Sequence, residues 1–180
     1  QIHSMYLEES FSEWKRFSGS IGLRSVYYSL TKEFFLEPRF LLNYDLSESL
    51  DLKASGGRYN QFVNHLYGTR SMGAGVENYN WRLSNGTNTP VVHGKQFMLG
   101  GIANKKDWVI DLETYWKFTE NIAIHNLEDY HNIDEHFIGD YKTLGVDLLV
   151  RKSWRNLDGW VAYTFSNTSV DNDSIQAEDF

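Results

Sequence analysis

"EPRFLLNYDLSESLDLKASGGRYNQFV" spans residues 37–63 and alternates apolar and polar side chains up to a polar Ser-Glu-Ser turn, then alternates again. Period-two alternation marks strands whose two faces meet different surroundings, so the stretch reads as a long β-hairpin. On its first strand Leu36, Pro38, Phe40, Leu42, Tyr44 and Leu46 make one wholly apolar face, and Glu37, Arg39, Asn43 and Asp45 lie on the other. What covers the apolar face decides the fold. A second sheet would make a soluble protein with an aromatic core; lipid would make a membrane barrel.

The same two-faced pattern recurs. Trp108, Ile110, Leu112, Trp116 and Phe118 oppose Asp111, Glu113, Lys117 and Thr119, while Leu144, Val146, Leu148 and Val150 oppose Thr143, Asp147 and Arg151. Reading for period two along the chain predicts eight strands, near 3–11, 16–29, 35–46, 50–64, 94–104, 108–121, 139–152 and 157–168. The connections at 12–15, 47–49, 105–107 and 153–156 are short and polar. The others are longer, two of them much longer, at 65–93 and 122–138. Alternating short and long connections, with strands at or above the 9–11 residues of a tilted membrane crossing, point to an all-β fold. The expectation is an antiparallel up-and-down transmembrane β-barrel section of about eight strands, with short periplasmic turns and long extracellular loops. Phe40, Leu42, Leu112, Leu148 and Val161 would then face outward, and Glu37, Arg39, Lys53, Glu113 and Asp147 inward. Trp14, Trp108, Trp154 and Trp160, near turns and strand ends, would form an interfacial girdle.

Composition narrows the function. The 180 residues carry a net charge of −7 without a Lys/Arg cluster, which argues against a nucleic-acid groove. There is no cysteine, hence no disulfide and no thiolate chemistry. No run of 18 apolar residues reads as a transmembrane helix, and the opening QIHSMYLEES lacks the regions of a signal peptide. The chain reads as a section of a longer or processed protein.

Several segments resemble TonB-dependent outer-membrane receptors, particularly those of the Bacteroidota type. The hairpin LEPRFLLNYDLSESLDLKASGGRYNQFVN is similar to one in that family, with its Glu-Pro-Arg, Leu-Lys-Ala-Ser, Gly-Arg-Tyr and Asn-Gln-Phe pieces. NYNWRLSNGTNTPVVHGKQFMLGG resembles the family's loop and returning strand, and WVIDLETYWKFTENI and TLGVDLLVRKSWRNLDGWVAYTFSNTS resemble later strands, in the same order. Gly56, where an aromatic is usual, and Asp147, where glutamate is usual, depart from the pattern without disturbing the alternation. The resemblance implies a barrel of about 22 strands around an N-terminal plug domain, of which residues 1–180 would be a partial barrel domain without the plug. It implies partners as well: outer-membrane lipid, TonB and the plug through the full-length receptor, and a small-molecule nutrient such as an iron chelate, cobalamin or an oligosaccharide. The location implied is the outer membrane of a Gram-negative bacterium. Two other readings stay open, a self-contained eight-stranded barrel (a small outer-membrane protein or a soluble lipocalin-like binder) and a surface adhesin.

The candidate site residues lie in the long connections. HLYGTRSMGAGVENYNWRLSNGTNTP sets Arg70, Tyr79, Trp81 and Arg82 among glycines, and aromatics beside Arg suit stacking and charge-assisted capture of an anionic or aromatic ligand. HNLEDYHNIDEHF gathers His125, His131 and His136 with carboxylates, a composition that binds metal ions, at spacings that fit no recognised metal motif. No catalytic constellation stands out and no cofactor is expected.

Overall fold

A computed structural model describes residues 1–14, 16–68, 78–87, 89–125 and 136–171, with backbone alone at 13–14, 65–68, 78–80, 123–125 and 136–137. Ten strands follow in order: β1 (Ile2–Trp14), β2 (Phe17–Tyr28), β3 (Glu33–Ser47), β4 (Leu50–Gln61), β5 (Val63–Gly68), β6 (Asn78–Leu83), β7 (Val92–Lys105), β8 (Trp108–His125), β9 (His136–Trp154) and β10 (Leu157–Asp171). Eight of them form one antiparallel sheet in the order β1-β2-β3-β4-β7-β8-β9-β10, a meander in which each strand pairs with the next. All eight expected strands are present. The order ends at β1 and β10, and almost every described residue of both is exposed.

Two expectations change in detail. The connection expected over 65–93 contains a second hairpin, β5 with β6. Its six-residue strands, VNHLYG and NYNWRL, are too short and too polar for a period to stand out. The connection expected over 122–138 is shorter, because β8 and β9 stay paired out to His125 and His136.

The register assigns every strand residue to a face. One row runs Phe17, Tyr44, Leu52, Gly101, Leu112, Leu148, Tyr163, and another Ile21, Phe40, Gly56, Phe97, Trp116, Leu144, Asn167. The opposite face carries the rows Ser18, Asn43, Lys53, Gly100, Glu113, Asp147, Thr164 and Gly22, Arg39, Gly57, Gln96, Lys117, Thr143, Thr168. The five outward and five inward residues named from the sequence thus fall on opposite faces as expected.

Burial then runs against the rule for a sheet in water. The apolar face is the open one, with Phe34 73% and Leu112 47% exposed, while on the polar face Glu37 is 2% exposed. Among the described residues no second sheet covers the apolar face; the other sheet is the two-stranded hairpin. A soluble antiparallel sheet hides its apolar side.

Aromatic rings border the apolar face at two levels. At the short-turn end Phe17 packs on Tyr44, ring centroids 4.5 Å apart, and Trp108 at the start of β8 and Trp154 at the end of β9 are exposed. At the other end Tyr27 packs on Phe34 at 4.7 Å, and Phe118 is exposed. On β2, β3 and β8 the two levels stand ten residues apart, Phe17 to Tyr27, Phe34 to Tyr44 and Trp108 to Phe118. At about 3.3 Å per residue and a tilt of roughly 35–45°, that is a band about 25 Å tall. Trp160 does not join it: its partner Arg151 belongs to the polar rows, so Trp160 takes the polar face. The Trp14 side chain lies outside the described residues.

Candidate functional site on the polar wall and at the mouth

Several charges on the polar face are paired across strands; Glu37 and the Lys53, Asp111 and Glu113 group are sheltered, whereas Arg151, Asp158 and Lys117 are exposed. Lys53 on β4 brings its Nζ to within 2.8–2.9 Å of both Asp111 oxygens and also bonds Glu113, both on β8. Arg24 on β2 lies 3.4 Å from Glu37 on β3, and Arg151 on β9 lies 3.5 Å from Asp158 on β10. Two cations rest on rings instead: the Arg39 guanidinium lies 5.0 Å from the Tyr6 centroid, and Lys117 Nζ lies 4.7 Å from that of Tyr115. Glycines make room among these side chains. A Cβ on Gly145 would stand 2.2 Å from Tyr115 Cζ, so the tyrosine ring lies across the bare backbone of the next strand.

Toward the long-connection end the wall changes character. The β3–β4 ladder stops at Arg39–Gly57, and the Glu37 carboxylate accepts the Asn60 N–H at 2.9 Å in place of a backbone carbonyl. Asn60 also donates its side-chain amide to Glu37 at 3.1 Å, and its carbonyl oxygen lies 2.6 Å from His93 Nδ1. By strand parity Phe62 and His93 belong with Phe40 and Phe97, yet beyond this interruption they pack on Phe35, from the other face of β3. The interruption acts as a bulge does, re-aiming side chains. Val26, Tyr28, Phe62 and Val91, with Phe35 against them, form the buried apolar cluster.

Residues 84–87 and 89–90 lie beside this cluster and lead into its Val91, held from three sides. The Tyr28 hydroxyl donates to the Ser84 carbonyl at 2.7 Å, Asn64 donates to Ser84 Oγ and the Pro90 carbonyl at 3.0 and 3.1 Å, and Asn121 on β8 donates to the Val91 carbonyl at 3.2 Å. Inside the segment Asn85 Oδ1 accepts the N–H groups of Thr87 and Thr89, both at 3.0 Å. Gly86, at φ +78°, supplies the left-handed turn, and a Cβ there would meet Thr31 of the β2–β3 turn at 3.2 Å. The segment therefore reaches from β4 and β7 to β2 and β8. Sequence reasoning missed Tyr28, Asn60, Asn64, Ser84 and His93, because their partners are distant in sequence and no local motif announces them.

Of the expected ligand residues, Arg70 lies outside the described residues. Tyr79 pairs with Tyr67 in the β5–β6 ladder, and its side chain lies outside the described residues. Trp81 is 70% exposed, and Arg82, its neighbour on the strand, takes the opposite face of the hairpin at the position of Asn64. His125 and His136 pair at the outer end of the β8–β9 ladder, which brings two of the three histidines to adjacent backbone positions; their side chains and the whole of His131 lie outside the described residues. Among the described residues no group of three His, Asp or Glu is placed to hold a metal ion.

No protein-family model matches this sequence, and no curated protein matches it. Two solved structures do. The siderophore receptor PirA from Pseudomonas aeruginosa superposes with a TM-score of 0.66 at 18% identity, over 95% of this chain and 35% of that one. The siderophore receptor PirA from Acinetobacter baumannii superposes with a TM-score of 0.51 at 10% identity, over 94% of this chain and 39% of that one. The chain thus spans little more than a third of each. Over nearly its whole length it shares the fold of part of those two structures, an antiparallel up-and-down sheet.

Proposed function

We propose that the chain is a barrel section of a TonB-dependent outer-membrane receptor that takes up a scarce nutrient, a ferric chelate before cobalamin or an oligosaccharide. The observation that carries this is the inverted sheet: an exposed apolar band about 25 Å tall between two aromatic levels, backed by a polar face with ion pairs across its strands. The siderophore receptors of like fold support the ligand class. The ends of the sheet support a section over a closed eight-stranded barrel, since β1 and β10 are the two termini of the strand order. The remaining strands, the plug domain and the segment gripped by TonB would belong to the rest of the receptor. Tyr79, Trp81 and Arg82 of the β5–β6 hairpin, together with Arg70, would capture the ligand at the external mouth; His125, His131 and His136 would hold a cation or screen anions there.

The test is uptake of radiolabelled ferric siderophores by iron-starved cells carrying the full-length receptor, in strains with and without TonB. Uptake that needs both receptor and TonB is expected. Uptake unchanged by deleting the receptor, or independent of TonB, would reject the reading. Replacing Tyr79, Trp81 and Arg82 with Ala should weaken ligand binding, and an unchanged affinity would move the capture site elsewhere.

A further inference from the structure

The apolar faces of three neighbouring strands turn polar toward the long-connection end. β8 passes from Trp116 and Phe118 to Glu120, β9 from Leu144 to Lys142, and β10 from Phe165 to Asn167, Ser169 and Asp171. In the ladder Phe118, which marks the upper aromatic level, stands between Lys95 and Lys142. Both lysines reach farther out: Lys95 Nζ lies 2.7 Å from Glu120, and Lys142 Nζ lies 3.2 Å from Asp171, the four side chains being 40–54% exposed. This is the posture of a lysine whose stem lies along hydrocarbon while its charge sits in a headgroup layer.

The surface between these strands is not flat. A cleft of about 240 Å³ opens on it, lined by Trp116, Phe118 and Leu144 toward the apolar band and by Lys142, Asn167 and Ser169 toward β10 and the mouth. All six belong to the apolar face by register. A soluble anion would gain nothing from the two rings and the leucine, and an uncharged chain would gain nothing from Lys142. A molecule with a hydrocarbon chain and an anionic head uses both parts.

We propose that this cleft seats an anionic, phosphate-bearing membrane lipid, its acyl chain on Trp116 and Leu144 and its phosphate on Lys142, with Asn167 and Ser169 as further donors. The site deepens the receptor reading and rests on it for the bilayer around the apolar face. The phosphate shares Lys142 with Asp171, so this carboxylate weakens binding, and removing its charge strengthens it.

The experiment reconstitutes the full-length receptor into phosphatidylcholine vesicles doped with either phosphatidylglycerol or phosphatidylcholine brominated on its acyl chains. Bromine quenches tryptophan on contact, and the Trp116 signal is the difference between each protein and its Trp116→Phe counterpart. Trp116 should be quenched at a lower mole fraction of the brominated phosphatidylglycerol than of the brominated phosphatidylcholine. Lys142→Gln should raise the phosphatidylglycerol fraction needed about fivefold, Lys142→Arg should leave it near wild type, and Asp171→Asn should lower it. Lys117→Gln, on the opposite face, should change nothing. Equal quenching by the two lipids, or a preference that survives Lys142→Gln, overturns the site and leaves the receptor reading standing. No quenching by either lipid means that water or another protein surface covers the cleft, which also overturns the site; the receptor reading falls with it only where TonB-dependent uptake is absent as well.

Discussion

Leu112→Arg separates lipid from water on the apolar face. On β8 the aromatic levels are Trp108 and Phe118, so the middle of the band falls at Glu113, and Leu112 is the outward residue beside it. Its row neighbours are Gly101 and Leu148, and it is 47% exposed. Were that exposure to water, an arginine would change stability by no more than about 0.5 kcal/mol. At the middle of a bilayer the same substitution on a barrel costs about 2–4 kcal/mol, falling to about 0–1 kcal/mol near an interface. Phe118→Arg, at the aromatic level, should therefore cost far less than Leu112→Arg, although the two positions are about equally exposed. Thr164→Arg, on the polar face in the row of Glu113 and Asp147, should stay within about 0.5 kcal/mol. The measurement is equilibrium denaturant unfolding of the full barrel folded into phosphatidylcholine vesicles. If Leu112→Arg and Phe118→Arg cost the same, or if both lie within about 0.5 kcal/mol of wild type, the apolar face does not lie in a membrane.

Glu37→Ala should cost about 1–3 kcal/mol, since it leaves the Asn60 N–H and Arg24 without their acceptor, whereas Glu37→Gln keeps an acceptor and should cost less; hydrogen exchange at Asn60 reads the difference directly. Tyr28→Phe removes the buried bond to the Ser84 carbonyl and should loosen residues 84–91, seen as faster proteolysis there with the sheet intact. Gly145→Ala forces the Tyr115 ring off its neighbour strand and should destabilise by about 1–3 kcal/mol, and adding Tyr115→Ser should restore most of it by making the space; additive losses would show that the contact is unimportant.

The sheet was legible because an apolar face and a polar face impose a strict period of two, and long strands repeat it enough to be read. Leu36 to Leu46 and Trp108 to Phe118 carry both the face assignment and the strand length. The girdle was half legible: Trp108 was found by its nearness to a turn, but the same reasoning placed Trp160 on the wrong side, because nearness to a turn says nothing of parity. Tyr27 and Phe34, the pair that sets the other level, lie inside strands and were passed over. The mouth was not legible. Tyr28 and Ser84 are 56 residues apart, and Glu37 and Asn60 are 23 apart, with nothing local to link them.

The change of pattern at the mouth has one physical cause. If, as proposed, the surroundings between the aromatic levels are lipid, the opposite face of β2 and β3 can carry Ser18, Ser20, Gly22, Arg24, Glu37 and Arg39. In the same reading water lies outside beyond Tyr27 and Phe34, and the usual rule returns: apolar side chains turn to the other face. β2 and β3 meet this by composition, their inner positions switching from Arg24 and Glu37 to Val26, Tyr28 and Phe35. β4 and β7 meet it by geometry, through the interruption after Arg39–Gly57 that swings Phe62 and His93 onto Phe35. β8 has its own irregularity at the same level, between Thr119 and Ile122, where Asn121 takes a positive φ of 66° and reaches the Val91 carbonyl. Glu37 sits where the two regimes meet, which is why a carboxylate stands 2% exposed there: it accepts the hydrogen bonds that a broken ladder leaves over.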